Sequence, residues 1–144
     1  RGGEAATRPY RMQVAQLLAE AIDSVRRSNQ HPLILVAGDF NDYTGDASLQ
    51  FLETRGLTNV SAKATGRHGA RGTYRYHGVW ASLDHVLCNV TLLQRLHYCH
   101  INDKPFLLTD DEKFGGKKPK RNYLGPKYLN GYSDHLPLVT VFAF

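Results

Sequence analysis

Apolar residues recur at spacings of three and four from residue 10 to about residue 27, where Val14, Leu17, Leu18, Ala21, Ile22 and Val25 paint one face of an amphipathic helix. The segment Ser28-Asn29-Gln30-His31-Pro32 ends it, because the Pro32 ring disfavours helical backbone at the residue before it. Leu33-Ile34-Leu35-Val36-Ala37 is then continuously apolar and branched, which predicts a short strand covered on both faces and closed by Gly38. A second helix is predicted from an Asp46 cap to about Thr54, with Leu49, Phe51 and Leu52 turned inward and Gly56 closing it. After a loop rich in Gly, Arg and His over 62–72, the runs 73–76, 83–89, 92–99 and 138–143 are rich in Val, Leu, Thr and Tyr and read as strands. Periodicity fades over 102–131, a long basic loop holding Lys113, Lys117, Lys118, Lys120, Arg121 and Lys127. A loop of that length is either solvated surface or a functional element. Helix, turn, strand and a polar cluster at the strand's carboxyl end describe an α/β fold that places functional groups at a sheet edge.

A chain of 144 residues makes one compact domain or one half of a larger one. With 42% apolar and 22% charged residues it has the composition of a packed core and not of a disordered chain. The net charge of +5 favours polyanionic partners, nucleic acid or a phosphorylated small molecule, and equally fits a merely soluble basic surface. Cys88 and Cys99 lie in apolar stretches and read as core thiols, with a disulfide between them left open. Together with His97 and His100 they lack the spacing of a zinc knuckle, while His68 and His77 read as surface loop residues. No apolar run approaches the roughly 20 residues that span a bilayer. The opening Arg1-Gly2-Gly3-Glu4, without an initiator Met or a signal-peptide core, reads as a processed form or an excised piece.

Three acidic clusters stand beside predicted strand ends: Gly38-Asp39-Phe40-Asn41, Ser82-Leu83-Asp84-His85 and Ser133-Asp134-His135-Leu136-Pro137. Asp39 and Asn41 are ordinary turn formers; alternatively, strand alternation points both to one side and offers a ligand a carboxylate and an amide. Asp84 lies inside an apolar strand, so its carboxylate needs a partner, either a basic side chain or a histidine such as His135, whose tautomer it would fix. Asp134 and His135 are neighbours in extended chain and diverge, so one can face a metal and the other a phosphate.

The three clusters, in this order, resemble the endonuclease/exonuclease/phosphatase family of deoxyribonuclease-like enzymes, abasic-site endonucleases, sphingomyelinases and inositol polyphosphate phosphatases. The resemblance implies a four-layer α/β sandwich, of which residues 1–144 would form roughly the C-terminal half of a single domain. It also implies a Mg²⁺-dependent phosphoester hydrolase, nuclease or phosphatase, with Mn²⁺ as an alternative ion. By motif position Asp39 would bind metal or activate water, Asn41 would bond the scissile phosphate, and Asp134 would complete the metal site. His135 would act as general base or stabilise the pentacovalent phosphate, supported by Asp84. Gly72-Thr73-Tyr74-Arg75-Tyr76, Trp80 and Lys127-Tyr128-Leu129-Asn130-Gly131-Tyr132 look similar to a Bacteroides-type branch, in which Arg121, Tyr123 and Tyr128 would supply substrate contacts. The family's first half normally adds an Asn, a metal-binding Glu and a further His or Tyr, and Glu4 does not replace that Glu. The competing reading is a non-catalytic phosphate- or nucleic-acid-binding module, and the absence of the first half implies an uncovered sheet face that self-association would bury.

Overall fold

A computed structural model describes residues 3–144; the opening Arg1 and Gly2, expected to follow an upstream strand, lie outside them. Helix α1 spans Gly3–Ser28, beginning well before the predicted start at residue 10 and carrying Pro9 inside it at the cost of one main-chain bond. Strand β1 (Leu35–Asp39), helix α2 (Ala47–Thr54), strand β2 (Leu57–Asn59) and strand β5 (Asp84–Asn89) complete the first layer pair. Antiparallel β5 lies at the centre of the sheet β1-β5-β2, and α1 and α2 cover one face of it. Ile34, Leu57 and Leu87 from the sheet meet Ala15, Ala19 and Ile22 of α1 and Leu49 and Leu52 of α2. The two helices are tied by an Asp23–Arg55 ion pair and by Arg26, which donates to the Arg55 carbonyl at 2.9 Å.

The pattern of apolar residues overstated what this chain buries. Helix α1 docks through Ala15, Ala19 and Ile22, so Val14 (63% exposed), Leu17 and Val25 form a second stripe turned to solvent. Strand β1 is covered on one face only: Ile34 and Val36 pack against the helices, whereas Leu35 stands 51% exposed. Asp46 holds the N-cap position of α2 without capping it, since its carboxylate accepts the Tyr43 N–H at 2.7 Å instead.

Strands β3 (Tyr74–Tyr76) and β4 (Val79–Ala81) form a hairpin whose His77-Gly78 turn has φ of +47° and +82°, the two-residue turn that matches strand twist. The strand expected over 92–99 is instead a one-turn helix, α3 (Val90–Leu93), followed by β6 (Leu96–Ile101). The side chain of Asn89 starts that turn by accepting the Leu92 N–H, and it holds Ile34 and Pro32 as well. Strand β6 pairs with β11 (Leu138–Phe142), which lies against β5, and Ile101, Leu108, Leu136, Ala64 and Ala70 make a second core around this ribbon. The long basic segment is not structureless. It folds into the hairpins β7 (Leu108–Asp110) with β8 (Lys117–Pro119), and β9 (Tyr123–Leu124) with β10 (Lys127–Tyr128). These strands of two or three residues are too short and too polar to show alternation. Cys88 and Cys99 are both unpaired thiols, and among the described residues no helix is long and apolar enough to cross a membrane.

The loop over 62–72 is pinned by one buried carboxylate. Asp103 accepts the backbone N–H groups of Arg67, His68 and Ala70 at 2.8, 2.7 and 3.1 Å, and a Cβ added to Gly66 would collide with it. Burial penalises the Asp103 charge, but these amide donors and His68 outweigh that penalty and hold its carboxyl below the ordinary range. Asp103→Ala strands three amides and should cost about 3 kcal/mol in urea unfolding, with a comparable loss for Gly66→Ala. A loss under about 1 kcal/mol in both would contradict this role.

Candidate active site

The register of β1 and β5 sets Asp39 directly opposite Asp84, on the sheet face away from the helices. Two like charges in that position repel. Asp84 is partly relieved by Thr73, whose hydroxyl donates to Oδ2 at 2.5 Å, and by His135, whose Nδ1–H donates to the same oxygen at 2.7 Å. A carboxylate can only accept, so this contact puts the proton on Nδ1 and leaves Nε2 of His135 outside it. One ligand atom each from Asp39, Asp84 and His135 lies within 4.8 Å of the others. Burial works against the Asp84 charge, yet the hydrogen bonds from His135 and Thr73 prevail and keep its pKa below the usual carboxylate range. The bond to Asp84 outweighs burial at His135, and the charges of Asp84, Asp39 and Asp134 add to it, so His135 is raised above the ordinary imidazole value.

Asp39 and Asn41 are brought together, though not by strand alternation. Strand β1 ends at Asp39, Asn41 takes a left-handed backbone with φ +51°, and the Asp39 carboxylate accepts the Asn41 N–H at 2.9 Å and its Nδ2–H at 3.2 Å. The local turn chemistry of Asp and Asn therefore builds the site. The next residue anchors the loop: buried Asp42 accepts from Arg11 Nε at 2.7 Å and from the Ser48 hydroxyl at 2.5 Å. The Asp42 carbonyl accepts from His85 Nε2 at 2.9 Å, while Asn59 Nδ2 donates to His85 Nδ1 at 3.1 Å. These two bonds hold a fully buried His85 that supports the loop and faces the helix layer, away from Asp84.

His135 is set by a bridge to Tyr74, by the Ser133 hydroxyl that accepts its N–H at 3.1 Å, and by the Tyr74 ring 4.9 Å away. Asp134 points elsewhere. Its carboxylate meets Arg121 at 3.4 Å, outside the Asp39–Asp84–His135 cluster. Arg121 lines a cleft of about 560 Å³ with Arg75, Lys118 and Lys120. Tyr123 and Tyr128 sit opposite each other on the β9–β10 hairpin, exposed, with rings 5.3 Å apart. Sequence reasoning passed over the role of Thr73, which is fully buried; its only signal was its place after Gly72, where a Cβ would strike the Ala81 backbone.

A family model described as the endonuclease/exonuclease/phosphatase family matches residues 1–143. No curated protein matches the chain. Among solved structures, the chain is similar to a mannosyl-6-phosphatase of Bacteroides thetaiotaomicron, with TM-score 0.64, 17% identity, and coverage of 99% of this chain and 48% of that one. It is also similar to an endonuclease/exonuclease/phosphatase family protein of the same organism, with TM-score 0.60, 18% identity, and 95% and 45% coverage. Beta toxin of Staphylococcus aureus follows with TM-score 0.58, 16% identity, and 99% and 48% coverage. The chain thus spans less than half the length of the structures it matches.

In metal-free protein the His135 ring should titrate above the ordinary value of about 6.5, followed by NMR of the imidazole protons, and Asp84→Asn should bring it down. The stability that this raised pKa lends is complete below about pH 6.5 and fades as pH rises through the folded-state value. A His135 titration that Asp84→Asn leaves in place would remove Asp84 as its cause.

Proposed function

The chain belongs to the endonuclease/exonuclease/phosphatase family, and on that premise we propose that it carries a phosphate-handling part of a divalent-metal-dependent phosphoester hydrolase. The observation that carries this reading is the convergence of Asp39, Asp84 and His135 on one point, with Asn41 beside them. Opposed carboxylates with an open side fit a hard cation that takes a few carboxylate oxygens and keeps several waters. Asp39 and Asp84 would hold Mg²⁺, or Mn²⁺ in its place, and Asp134 would join them only on leaving Arg121. Such an ion, when bound, neutralises phosphate charge and makes a coordinated water more acidic.

The residues of the chain divide the remaining work. Water adds to phosphorus as the ester P–O bond breaks, and the departing alkoxide leaves as an alcohol after gaining a proton. His135 Nε2 exchanges a proton with the attacking water or donates to a phosphoryl oxygen, because Nδ1 is committed to Asp84. Asp84 would keep its other oxygen for the ion while its Oδ2 positions His135. Asn41 gives one Nδ2–H to Asp39 and keeps the other for a phosphate oxygen. Similarity to a mannosyl-6-phosphatase supports a phosphomonoester as the substrate type.

Hydrolysis of p-nitrophenyl phosphate and bis-p-nitrophenyl phosphate with Mg²⁺ or Mn²⁺ tests this, using the 144-residue chain and any longer natural polypeptide that contains it. His135→Ala should lower kcat by about 10²- to 10⁴-fold in whichever form turns over. Binding of phosphate without turnover in every form would favour a non-catalytic module. The metal has a separate readout. Mg²⁺ at roughly a hundredfold excess over its Kd should stabilise the fold by about 2.7 kcal/mol in thermal unfolding, and Asp39→Asn should abolish that gain. Equal stabilisation of the variant would remove Asp39 as a ligand.

A further inference from the structure

An unbroken row of rings leaves the Asp84–His135 pair and runs outward along β3. The His135 ring touches Tyr74 at 4.9 Å, Tyr74 is nearly parallel to Tyr76 at 6.4 Å, and Tyr76 stacks on His77 at 4.0 Å with 14° between planes. Phe114, from the turn between β7 and β8, closes the row 5.5 Å from His77. Tyr76 is 61% exposed although it is a large aromatic at the centre of this contact chain. Its neighbours Tyr43, Val79 and Leu83 share a pocket of about 430 Å³ with Tyr74 and Tyr76. On another side Tyr76 and His77 border the cleft that holds Lys118, Lys120 and Arg121.

The backbone is arranged for this row. His77 adopts φ +47°, a left-handed conformation that Gly takes without cost and that among other residues Asn, Asp and His enter most readily. A glycine there would make the same hairpin with less strain, so what His77 adds is its ring. Gly78 follows with its α-carbon against Phe114, where a Cβ would lie 2.8 Å from that side chain, so the turn and Phe114 are fitted to each other. The result is a preorganised aromatic surface that ends on the imidazole proposed to face phosphorus.

Resting on the phosphoester reading of the site, we infer that this row is a subsite for a ring on the alcohol side of the phosphoester. The phosphate would sit at His135 and the ring against Tyr76, which fits either a sugar, through its C–H face, or a nucleobase, through its π-face. An acyclic alcohol has nothing to lay on these rings. The chemistry therefore assigns the preference to cyclic over open-chain phosphoesters.

The test is a calorimetric titration of the 144-residue chain with Mg²⁺ and three probes: glucose 6-phosphate, adenosine 5′-monophosphate and glycerol 3-phosphate. The variants are Tyr76→Ala, at an exposed position, and His77→Gly, which suits the turn and so keeps the hairpin. The affinity of a ring ester relative to glycerol 3-phosphate should fall about tenfold in Tyr76→Ala and severalfold in His77→Gly. The ester whose ratio falls identifies the ring as sugar or base. Ratios unchanged in both variants overturn the inference, while weaker glycerol 3-phosphate binding in His135→Ala still upholds the phosphoester reading. Glycerol 3-phosphate binding untouched by His135→Ala overturns that reading instead, and no binding of any probe at millimolar concentration overturns both.

Discussion

The pairing of β1 with β5 forces two carboxylates to confront each other at the edge of a sheet. Left alone, the pair would weaken the sheet at the place where β1 gives way to its loop. Thr73 and His135 relieve one member of that pair by converging on Asp84, and Asp39 is left facing an open side with its own turn folded onto it. A slip of one residue in this register would turn Asp39 toward the helices and bring Gly38 into the site. The same alternation separates two adjacent residues of β5: Asp84 faces Asp39 and His135, and His85 faces the core, where it braces the loop that follows β1.

Geometry at the cluster therefore depends on groups that lie outside it. Asn41 stands where it does because Asp42 is held by Arg11 and Ser48 and by the imidazole of His85. His135 stands where it does because Thr73 serves two masters, its hydroxyl bonding Asp84 and its carbonyl accepting the Leu136 N–H at 2.7 Å. Charge and conformation are coupled through these contacts, since Thr73 binds a carboxylate that in turn fixes a histidine.

The sequence disclosed the site more readily than the framework. Asp39, Asn41, Asp84 and His135 were legible because a buried carboxylate and short polar clusters at strand ends are costly unless partnered or used. Their grouping through alternation was misread, since a turn and not a strand joins Asp39 to Asn41. Thr73 was silent because a threonine in a strand has an ordinary explanation. Asp134 was expected to complete the metal site, and only three-dimensional placement shows it beside Arg121. On α1, periodicity marked apolar residues without saying which stripe docks, and the small side chains of Ala15 and Ala19 decided it. The hairpins of 102–131 were invisible because pairs of two or three residues carry no period.

Those two alanines have a reach beyond the core. Small side chains at Ala15 and Ala19 let α1 lie close upon the sheet, and Arg11, one turn before Ala15, can then meet Asp42 at 2.7 Å. Bulkier residues at the same positions would lift the helix like a shim under a beam, drawing the guanidinium away from the loop that carries Asn41. The helix therefore works as a gauge block: its standoff from the sheet, fixed by the thickness of two methyl groups, is what sets the height of the amide at the mouth of the site.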